Sequence, residues 1–314
     1  MCGIAGRILN APGKVGADLV VLMEAQRHRG ADSTGFAIYG EPRDDGYIIR
    51  AMGFDRECLS KDLDDFREIL VENGSDFVED PTWDQSNDKH YMVRMVVKDP
   101  IDISLWTDQT DLISDRIEVQ SFGRSLEIIK DTGGANDVAD KHGVRDMIGT
   151  HGLGHARLAT ESDVRPNASH PFWARKFPDV AIVHNGQITD YYTWRKRLQK
   201  QDYRFLTYND SELIAVWVSD QMKHGLSMQE ALEKSISEID GVFTYMIARP
   251  DKIGFSKDRF AMKPLVVVDD HGTFAAATEE QAVRRVCSDE LDVINYDGPG
   301  QTEIWKIANG GIAA

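Results

Sequence analysis

The hydrophobic pattern at the start of the chain predicts a strand, a helix and two further strands. The first strand covers residues 3–9. Apolar residues then recur at helical spacing, at Val15, Leu19, Leu22 and Met23. A short apolar run bounded by glycine predicts a second strand at 35–39. We expect a third strand, 47–52, to pair with the second across the turn at 41–46.

The pattern changes between residues 54 and 146, where the chain is more acidic and contains a polar stretch from 73 to 89. The elements predicted after that stretch are a strand, a helix, two strands and a helix, at 91–98, 101–114, 117–122, 125–130 and 135–142. This β-α-β-β-α order is typical of a small ferredoxin-like module. We therefore interpret 54–146 as an insertion.

The second half of the chain returns to short, strongly apolar strands. The predicted strands are 180–183, 242–248, 252–256, 265–268 and 273–277, with a closing hairpin through Ile294 and 304–307. The predicted helices are 190–199, 211–223, 228–239 and 279–287. Strands that follow one another without crossover helices favour antiparallel sheets with helices packed outside them, an α+β fold. The small, Gly-rich residues 309–314 predict a flexible tail.

Composition adds bounds on the class of protein. An apolar fraction of 41% and a charged fraction of 28% are typical of globular proteins, and no apolar run approaches the roughly 18 residues of a membrane span. The N-terminus lacks a secretory signal, so we expect a cytoplasmic protein. The net charge of −16 argues against binding to nucleic acid or an anionic membrane. The three cysteines, Cys2, Cys58 and Cys287, show no Cys-x-x-Cys spacing, which favours a reducing compartment.

Cys2 is a candidate nucleophile because of its position. Removal of Met1 would leave a thiol and a free α-amine, with an ordinary pKa of about 8, on the same residue. An amine of that pKa serves as a built-in base for the thiol. Gly3 would let a substrate approach closely. On Cys2 alone, an ordinary small residue after the initiator methionine is the favoured interpretation.

Further motifs follow in order and change that interpretation. The chain resembles the class II glutamine amidotransferases, which are N-terminal-nucleophile hydrolases, at several segments. These segments are Met1 to Gly6, Arg29 to Gly35, Gly154 to Thr160, Ser169 to Phe172, Val183 to Ile188, Asn209 to Glu212, Lys257 to Leu265 and Ala277 to Glu279. The resemblance covers 1–53 and 147–308, which we predict to be the glutaminase domain.

The resemblance implies a catalytic role for three residues. Cys2 would attack the side-chain amide of glutamine, and Asn185 with Gly186 would supply hydrogen-bond donors for the tetrahedral oxyanion. An Asn-Gly pair taken alone is a common turn dipeptide, so a turn at 185–186 is the alternative.

Substrate recognition is implied for four further residues. Glutamine carries a carboxylate and an ammonium, so its binding needs a cation and an anion. Arg157 is suited to hold the carboxylate in a bidentate fashion, and the alternative is a surface or structural arginine. Asp210 matches the residue that holds the ammonium, although it also fits an N-cap for a helix starting at Ser211. Thr160 and His170 complete the predicted substrate-binding set.

Other residues of the motifs are expected to support the site. Arg29 and Gly30 would brace the N-terminal strand, with Arg29 near the backbone of Cys2. His155 and His170 lack a His or Cys at metal-ligand spacing, and the α-amine fills the role of base, so we predict no metal. Leu158, Glu161 and Ala31 depart from residues common in the family. The first two border the glutamine pocket and so bear on affinity.

The resemblance also implies a fold and partners. The fold would be a four-layer αββα sandwich of two antiparallel sheets. Class II amidotransferases normally carry a synthase domain, so a partner subunit is expected, as in glutamate-synthase or N-methylglutamate-synthase assemblies. This chain would need no cofactor, and any flavin or iron–sulfur cluster would belong to the partners. The alternatives are a catalytically quiet regulatory or scaffolding subunit and an N-terminal-nucleophile amidase of another substrate.

Overall fold

The computed structural model describes residues 2–85, 89–158, 165–270 and 272–307. Its strands are β1 (Gly3–Gly13), β2 (Ser33–Tyr39), β3 (Tyr47–Gly53), β4 (Thr82–Gln85), β5 (Tyr91–Val97), β6 (Ile117–Gly123), β7 (Leu126–Thr132), β8 (Gly149–Arg157), β9 (Phe172–Trp173), β10 (Ala181–Ile188), β11 (Gly241–Arg249), β12 (Lys252–Lys257), β13 (Val266–Asp270), β14 (Thr273–Ala277), β15 (Ile294–Asn295) and β16 (Thr302–Lys306). Its α-helices are α1 (Val15–Glu24), α2 (Leu59–Glu72), α3 (Ile103–Thr110), α4 (Ala135–His142), α5 (Tyr191–Gln199), α6 (Asp210–Lys223), α7 (Met228–Glu238) and α8 (Glu280–Val283). No helix within these ranges is long and apolar enough to cross a membrane.

Two antiparallel sheets form the centre of the molecule. The larger has the strand order β15-β13-β14-β1-β8-β2-β7, and the smaller has the order β16-β12-β11-β10-β9. Their inner faces share one apolar core, to which Ile4 and Leu153 contribute from the larger sheet and Val183 and Phe255 from the smaller. A Cβ on Gly6 of β1 would lie 2.5 Å from the Met246 methyl group of β11. The two sheets therefore approach closely where β1 crosses β11.

Helices cover both outer faces. Apolar residues of α1, α4 and α8 pack on the larger sheet, and those of α5, α6 and α7 pack on the smaller. Burying the apolar residues of these helices against a sheet stabilises helix and sheet together. The layers are thus helix, sheet, sheet, helix, and the predicted αββα sandwich is confirmed.

A third antiparallel sheet, with the order β4-β5-β3-β6, belongs to residues 47–123. The elements of this segment follow one another as β3-α2-β4-β5-α3-β6, which together with the strand order gives a ferredoxin-like arrangement. Phe66 of α2 and Trp106 of α3 pack into the core beside the strands. We call residues 47–123 the four-stranded module.

The module has other bounds than the predicted insertion at 54–146. The predicted pairing of 47–52 with 35–39 is wrong, because β7 and β8 occupy both edges of β2, and β3 lies between β5 and β6. At the other end, β7 and α4 belong to the sandwich rather than to the module. β6 and β7 are consecutive apolar strands, and the sequence does not show that they belong to different sheets.

The predicted closing hairpin is also wrong. β15 pairs with β13 at an edge of the larger sheet, whereas β16 pairs with β12 at an edge of the smaller one. An edge strand pairs with the unpaired backbone N–H and C=O groups of the outermost strand of a sheet. The local hydrophobic pattern does not predict which sheet offers those groups. The predicted tail at 309–314 lies outside the described residues.

Asp179 holds the turn at which β6 passes into β7. Its Oδ1 accepts hydrogen bonds from Ser125 N and Leu126 N at 2.9 Å each, and its Oδ2 accepts one from Arg124 N at 2.8 Å. The Tyr39 hydroxyl donates to the Asp179 carbonyl at 3.1 Å. A buried carboxylate therefore joins the module's last strand to the two central sheets.

We expect Asp179→Ala to lower the free energy of unfolding by about 3 kcal/mol, because several buried N–H groups lose their acceptor. Urea unfolding followed by circular dichroism measures the loss. Asp251→Ala, which removes an exposed aspartate, is the control and should change stability by less than about 0.5 kcal/mol. Equal stabilities of the two variants would contradict the role given to Asp179.

Candidate active site

Cys2 directly precedes β1, a central strand of the larger sheet. β1 is paired on one side with β8 and on the other with β14. Ile4 N donates to the Thr278 hydroxyl at 2.9 Å, and Thr278 N donates to the Ile4 carbonyl at 3.1 Å. The partly buried Cys2 sulfur lies 3.9 Å from the Leu158 carbonyl oxygen. A doubly paired strand thus fixes the backbone next to this thiol.

Asn185 and Gly186 bring the smaller sheet to Cys2. Asn185 Nδ2 donates to the Cys2 carbonyl at 3.0 Å. Both residues lie within β10, paired with Thr244 and Phe243 of β11, so the turn alternative is wrong. Gly186 has φ +152°, and a Cβ there would lie 2.0 Å from the Val242 carbonyl oxygen. Only glycine fits at this position.

Asp210 is the first residue of α6 and lies beside β10. Its Oδ2 accepts from Ile188 N at 3.0 Å, and its Oδ1 is 3.5 Å from His184 Nδ1. Burial favours a raised pKa, but the imidazole of His184 and the Ile188 N–H outweigh it and lower the pKa of Asp210. Asn209 caps the helix instead, accepting from Ser211 N at 3.0 Å, so the capping alternative for Asp210 is wrong.

Arg157 ends β8 and is only 6% exposed, so it is not a surface arginine. Its Nη1 donates to the Ala168 carbonyl at 3.3 Å. A Cβ on Gly30 would lie 2.4 Å from the Arg157 carbonyl carbon, and Asp32 N donates to the Arg157 carbonyl at 3.2 Å. The Arg-Gly segment therefore packs against the end of β8, where a side chain on residue 30 would not fit.

The supporting residue Arg29 has a different partner from the expected one. Its Nε donates to Glu279 Oε1, and His28 Nε2 lies 3.0 Å from the same oxygen. Glu279 follows β14, the neighbour of β1. Arg29 thus supports the N-terminal strand through β14, whereas the prediction had placed it near the Cys2 backbone.

Three buried histidines connect the strands behind the site. His155 Nε2 lies 3.1 Å from the His184 carbonyl oxygen, the rings of His155 and His170 are 3.9 Å apart, and the Ser211 hydroxyl contacts both His170 and His184. Burial lowers the pKa of His155 to about 3 and that of His170 well below its ordinary value. Both rings are therefore neutral at physiological pH and weak as bases. Thr160, also predicted to bind substrate, lies outside the described residues.

Two buried polar residues that support the site were not predicted from the sequence. Gln26 donates to the Ile4 carbonyl at 3.3 Å and accepts from Thr278 N at 3.2 Å. Lys130 of β7 is 2% exposed. Gln26 lies among Glu24, Arg27 and His28, and Lys130 stands beside Asp131, so no local pattern in the sequence marked either residue.

The neutral histidines make stability depend on pH. Because the folded-state pKa of His155 is depressed from 6.5 to about 3, the unfolded chain binds the proton first, and stability falls as pH drops below 6.5. One such group contributes about 1.4 kcal/mol per pH unit. We expect His155→Gln, which can still donate to the His184 carbonyl, to reduce the loss between pH 6.5 and 5.5 by about 1 kcal/mol in urea unfolding.

The control for that experiment is His224→Gln, which removes a histidine with a 66% exposed side chain. This variant should lose stability with falling pH as the wild-type protein does. An unchanged pH dependence in His155→Gln would contradict a neutral, buried His155.

Several known proteins are similar to this chain. A family model described as "Glutamine amidotransferase domain" matches residues 155–285. A protein of Methanothermobacter thermautotrophicus named "Putative glutamine amidotransferase" is 35% identical over 98% of this chain and 100% of its own length. The "Glutamine amidotransferase-like protein GlxB" of Rhizobium meliloti is 29% identical over 97% of this chain and 98% of its own length.

A solved structure with the same fold is titled "Structure of the allosteric regulatory enzyme of purine biosynthesis". It has a TM-score of 0.62 and 15% identity, and the match covers 96% of this chain and 46% of that one. This likeness bears on the fold alone, the αββα sandwich. The full-length relative at 35% identity bears on the family, and the chain therefore belongs to the glutamine amidotransferases.

Proposed function

We propose that this protein is a glutaminase subunit that hydrolyses glutamine to glutamate and ammonia through a thioester at Cys2. The observation that carries the proposal is the contact of the Asn185 amide with the Cys2 carbonyl, at 3.0 Å. It brings a hydrogen-bond donor from one sheet to a thiol at the end of a strand of the other. Family membership supports glutamine as the substrate.

The proposed reaction begins after removal of Met1. The Cys2 α-amine accepts the thiol proton, and the sulfur attacks the side-chain amide carbon of glutamine. The amine then delivers the proton to the departing nitrogen, so ammonia leaves and a γ-glutamyl thioester remains. Water, activated by the same amine, attacks the thioester, releases glutamate and restores the thiol. Proton count and charge balance without a metal or cofactor.

Asn185 and Gly186 are the proposed oxyanion donors. A primary amide has two N–H groups, and one of those on Asn185 bonds the Cys2 carbonyl. This bond fixes the plane of the amide next to the nucleophile before substrate arrives, and preorganised donors are what stabilise a developing oxyanion. Glycine at 186 keeps β10 close to β11 and so holds the neighbouring Asn185 in place.

Arg157 and Asp210 are the proposed partners of the two charged groups of glutamine. Arg157 is held at the end of β8, the strand next to Cys2, and suits the α-carboxylate. Asp210 lies at the end of β10 and is kept ionised by its neighbours, which suits the α-ammonium. The cation therefore comes from the larger sheet and the anion from the helix packed on the smaller one.

We further propose that the nitrogen, or a glutamyl group, passes to a synthase-type partner subunit of the glutamate-synthase or N-methylglutamate-synthase kind. Two relatives are matched over 100% and 98% of their own lengths, so in those proteins no long additional domain accompanies the matched region. Such a partner would carry any flavin or iron–sulfur cluster. The alternative is a catalytically quiet subunit that keeps the fold and binds partners through the four-stranded module.

A glutamine-analogue electrophile separates the enzyme from the quiet subunit. We expect 6-diazo-5-oxo-norleucine to add once, on Cys2, in the full-length protein lacking Met1, and glutamine to protect against the addition. Intact and peptide mass spectrometry locate the adduct. Cys58→Ser, which removes an unrelated partly buried thiol, should leave labelling unchanged. Absence of any adduct, even with partner subunits present, would sink the proposal.

A substitution of Arg157 separates glutaminase from an amidase of another substrate. We expect Arg157→Ala to lower kcat/KM for glutamine about 100-fold, since a charge-assisted contact to the carboxylate is lost. The rate with 4-aminobutanamide, which is glutamine without its carboxylate, should change little. Arg67→Ala, at an exposed arginine, is the control. Glutamine hydrolysis that is indifferent to Arg157→Ala would argue for an amidase that does not recognise the amino-acid head, and equal losses with both substrates would mean a structural role for Arg157.

A further inference from the structure

One short segment of the chain, 167–171, is held by a single buried lysine. The Lys130 ammonium donates to the carbonyls of Asn167 at 3.1 Å, Ser169 at 2.9 Å and Pro171 at 3.3 Å. An ammonium has three N–H donors and no acceptor. All three donors of Lys130 are therefore directed to the backbone of the same five residues.

Of the two other carbonyls in this segment, that of Ala168 contacts residues at the proposed glutamine-binding site. Ala168 O accepts from Arg157 Nη1 at 3.3 Å and from Asn209 Nδ2 at 3.3 Å. Asn209 directly precedes Asp210 and caps its helix. The segment fixed by Lys130 thus contacts both the proposed carboxylate-binding arginine and the residue next to the proposed ammonium-binding aspartate.

Burial of the Lys130 ammonium costs free energy. Lys130 is 2% exposed, and its ammonium lies 4.6 Å from the ring centroid of Phe172. Desolvation of an ammonium costs several kcal/mol, and an apolar residue of similar size is often as stable or more so. Hydrogen bonds to three carbonyls offset that cost only while the segment keeps its conformation. The charge therefore makes the conformation of 167–171 specific.

We propose that Lys130 is a positioning residue for glutamine binding, which holds segment 167–171 so that Ala168 fixes the Arg157 guanidinium for the substrate carboxylate. The inference rests on the proposed glutaminase function and adds to it a residue outside the resemblance motifs. Lys130 belongs to β7, the strand that follows the four-stranded module, and it acts through the backbone rather than on the reacting atoms.

The charge of Lys130 gives the inference a pH dependence. Burial lowers its pKa to about 8, with Glu118 of β6 and Glu212 of α6 opposing the shift and Arg175 and Arg157 adding to it. As pH rises through about 8, the ammonium becomes an amine with two N–H donors and can no longer bond three carbonyls. KM for glutamine should then rise, while kcat changes less.

The experiment compares Lys130→Met and Lys130→Arg with the wild-type protein in steady-state glutamine hydrolysis from pH 6.5 to 9. We expect Lys130→Met to raise KM about ten- to a hundredfold at pH 7, with kcat within about threefold, because binding rather than chemistry is weakened. The arginine of Lys130→Arg stays charged over this pH range. The KM of the wild type divided by the KM of Lys130→Arg should therefore increase above pH 8.

The matched control is Lys176→Met, which removes another largely buried ammonium, bonded to Asp108 at 2.8 Å and to the Asp202 carbonyl at 2.9 Å. Its KM should equal that of the wild type. Thermal melting shows whether each variant is folded.

The outcomes separate this inference from the function on which it rests. A folded Lys130→Met with the wild-type KM overturns the positioning role, while wild-type turnover upholds the glutaminase. If Lys130→Met does not fold, the comparison with Lys130→Arg decides. The positioning role is then overturned if the KM of the wild type divided by the KM of Lys130→Arg stays constant from pH 7 to 9. A wild-type protein that neither hydrolyses glutamine nor labels at Cys2 overturns the proposed function itself.

Discussion

The close contact between the two central sheets is the constraint on which the rest of the structure depends. Cys2 directly precedes a strand of one sheet and Asn185 lies in the other, and a hydrogen bond of 3.0 Å joins them. Gly6 lets the two sheets approach without a side chain between them, and Gly186 keeps β10, the strand of Asn185, close to β11 within the smaller sheet. The apolar core between the sheets supplies the free energy that holds them together. The geometry of the candidate site is thus a consequence of how the sandwich packs.

Two neutral imidazoles lie at the candidate site and add no charge to it. His155 and His170 are buried and uncharged, and they hold β8, β10 and the start of α6 through hydrogen bonds. Arg157 and Asp210 then supply the charges proposed to face the substrate. Since a protonated imidazole next to Arg157 would repel it, the burial that suppresses histidine charge also preserves the balance between one cation and one anion.

The sequence predicted the fold and the site unequally, for physical reasons. Local periodicity located most strands and helices, because alternation and helical spacing are properties of neighbouring residues. It did not predict that β3 pairs with β5 and β6 instead of β2, or that β15 and β16 join different sheets. Strand pairing depends on backbone groups that are distant in the sequence. Arg157, Asn185 and Asp210 were found through motifs. Lys130 and Asp179 lie outside every motif, and their roles exist only through contacts with residues about 40 to 55 positions away.

Buried polar contacts join the four-stranded module to the sandwich. Arg175, just after β9, pairs with Asp111 of the module, and both are buried. Glu118 of β6 accepts from Asn167 Nδ2 at 2.9 Å, within the segment that contacts Arg157. Buried charged contacts are costly to break on one side, so they fix how the module sits against the sandwich. The module thus contacts the segment 167–171 through Glu118, and the same segment contacts Arg157 through Ala168.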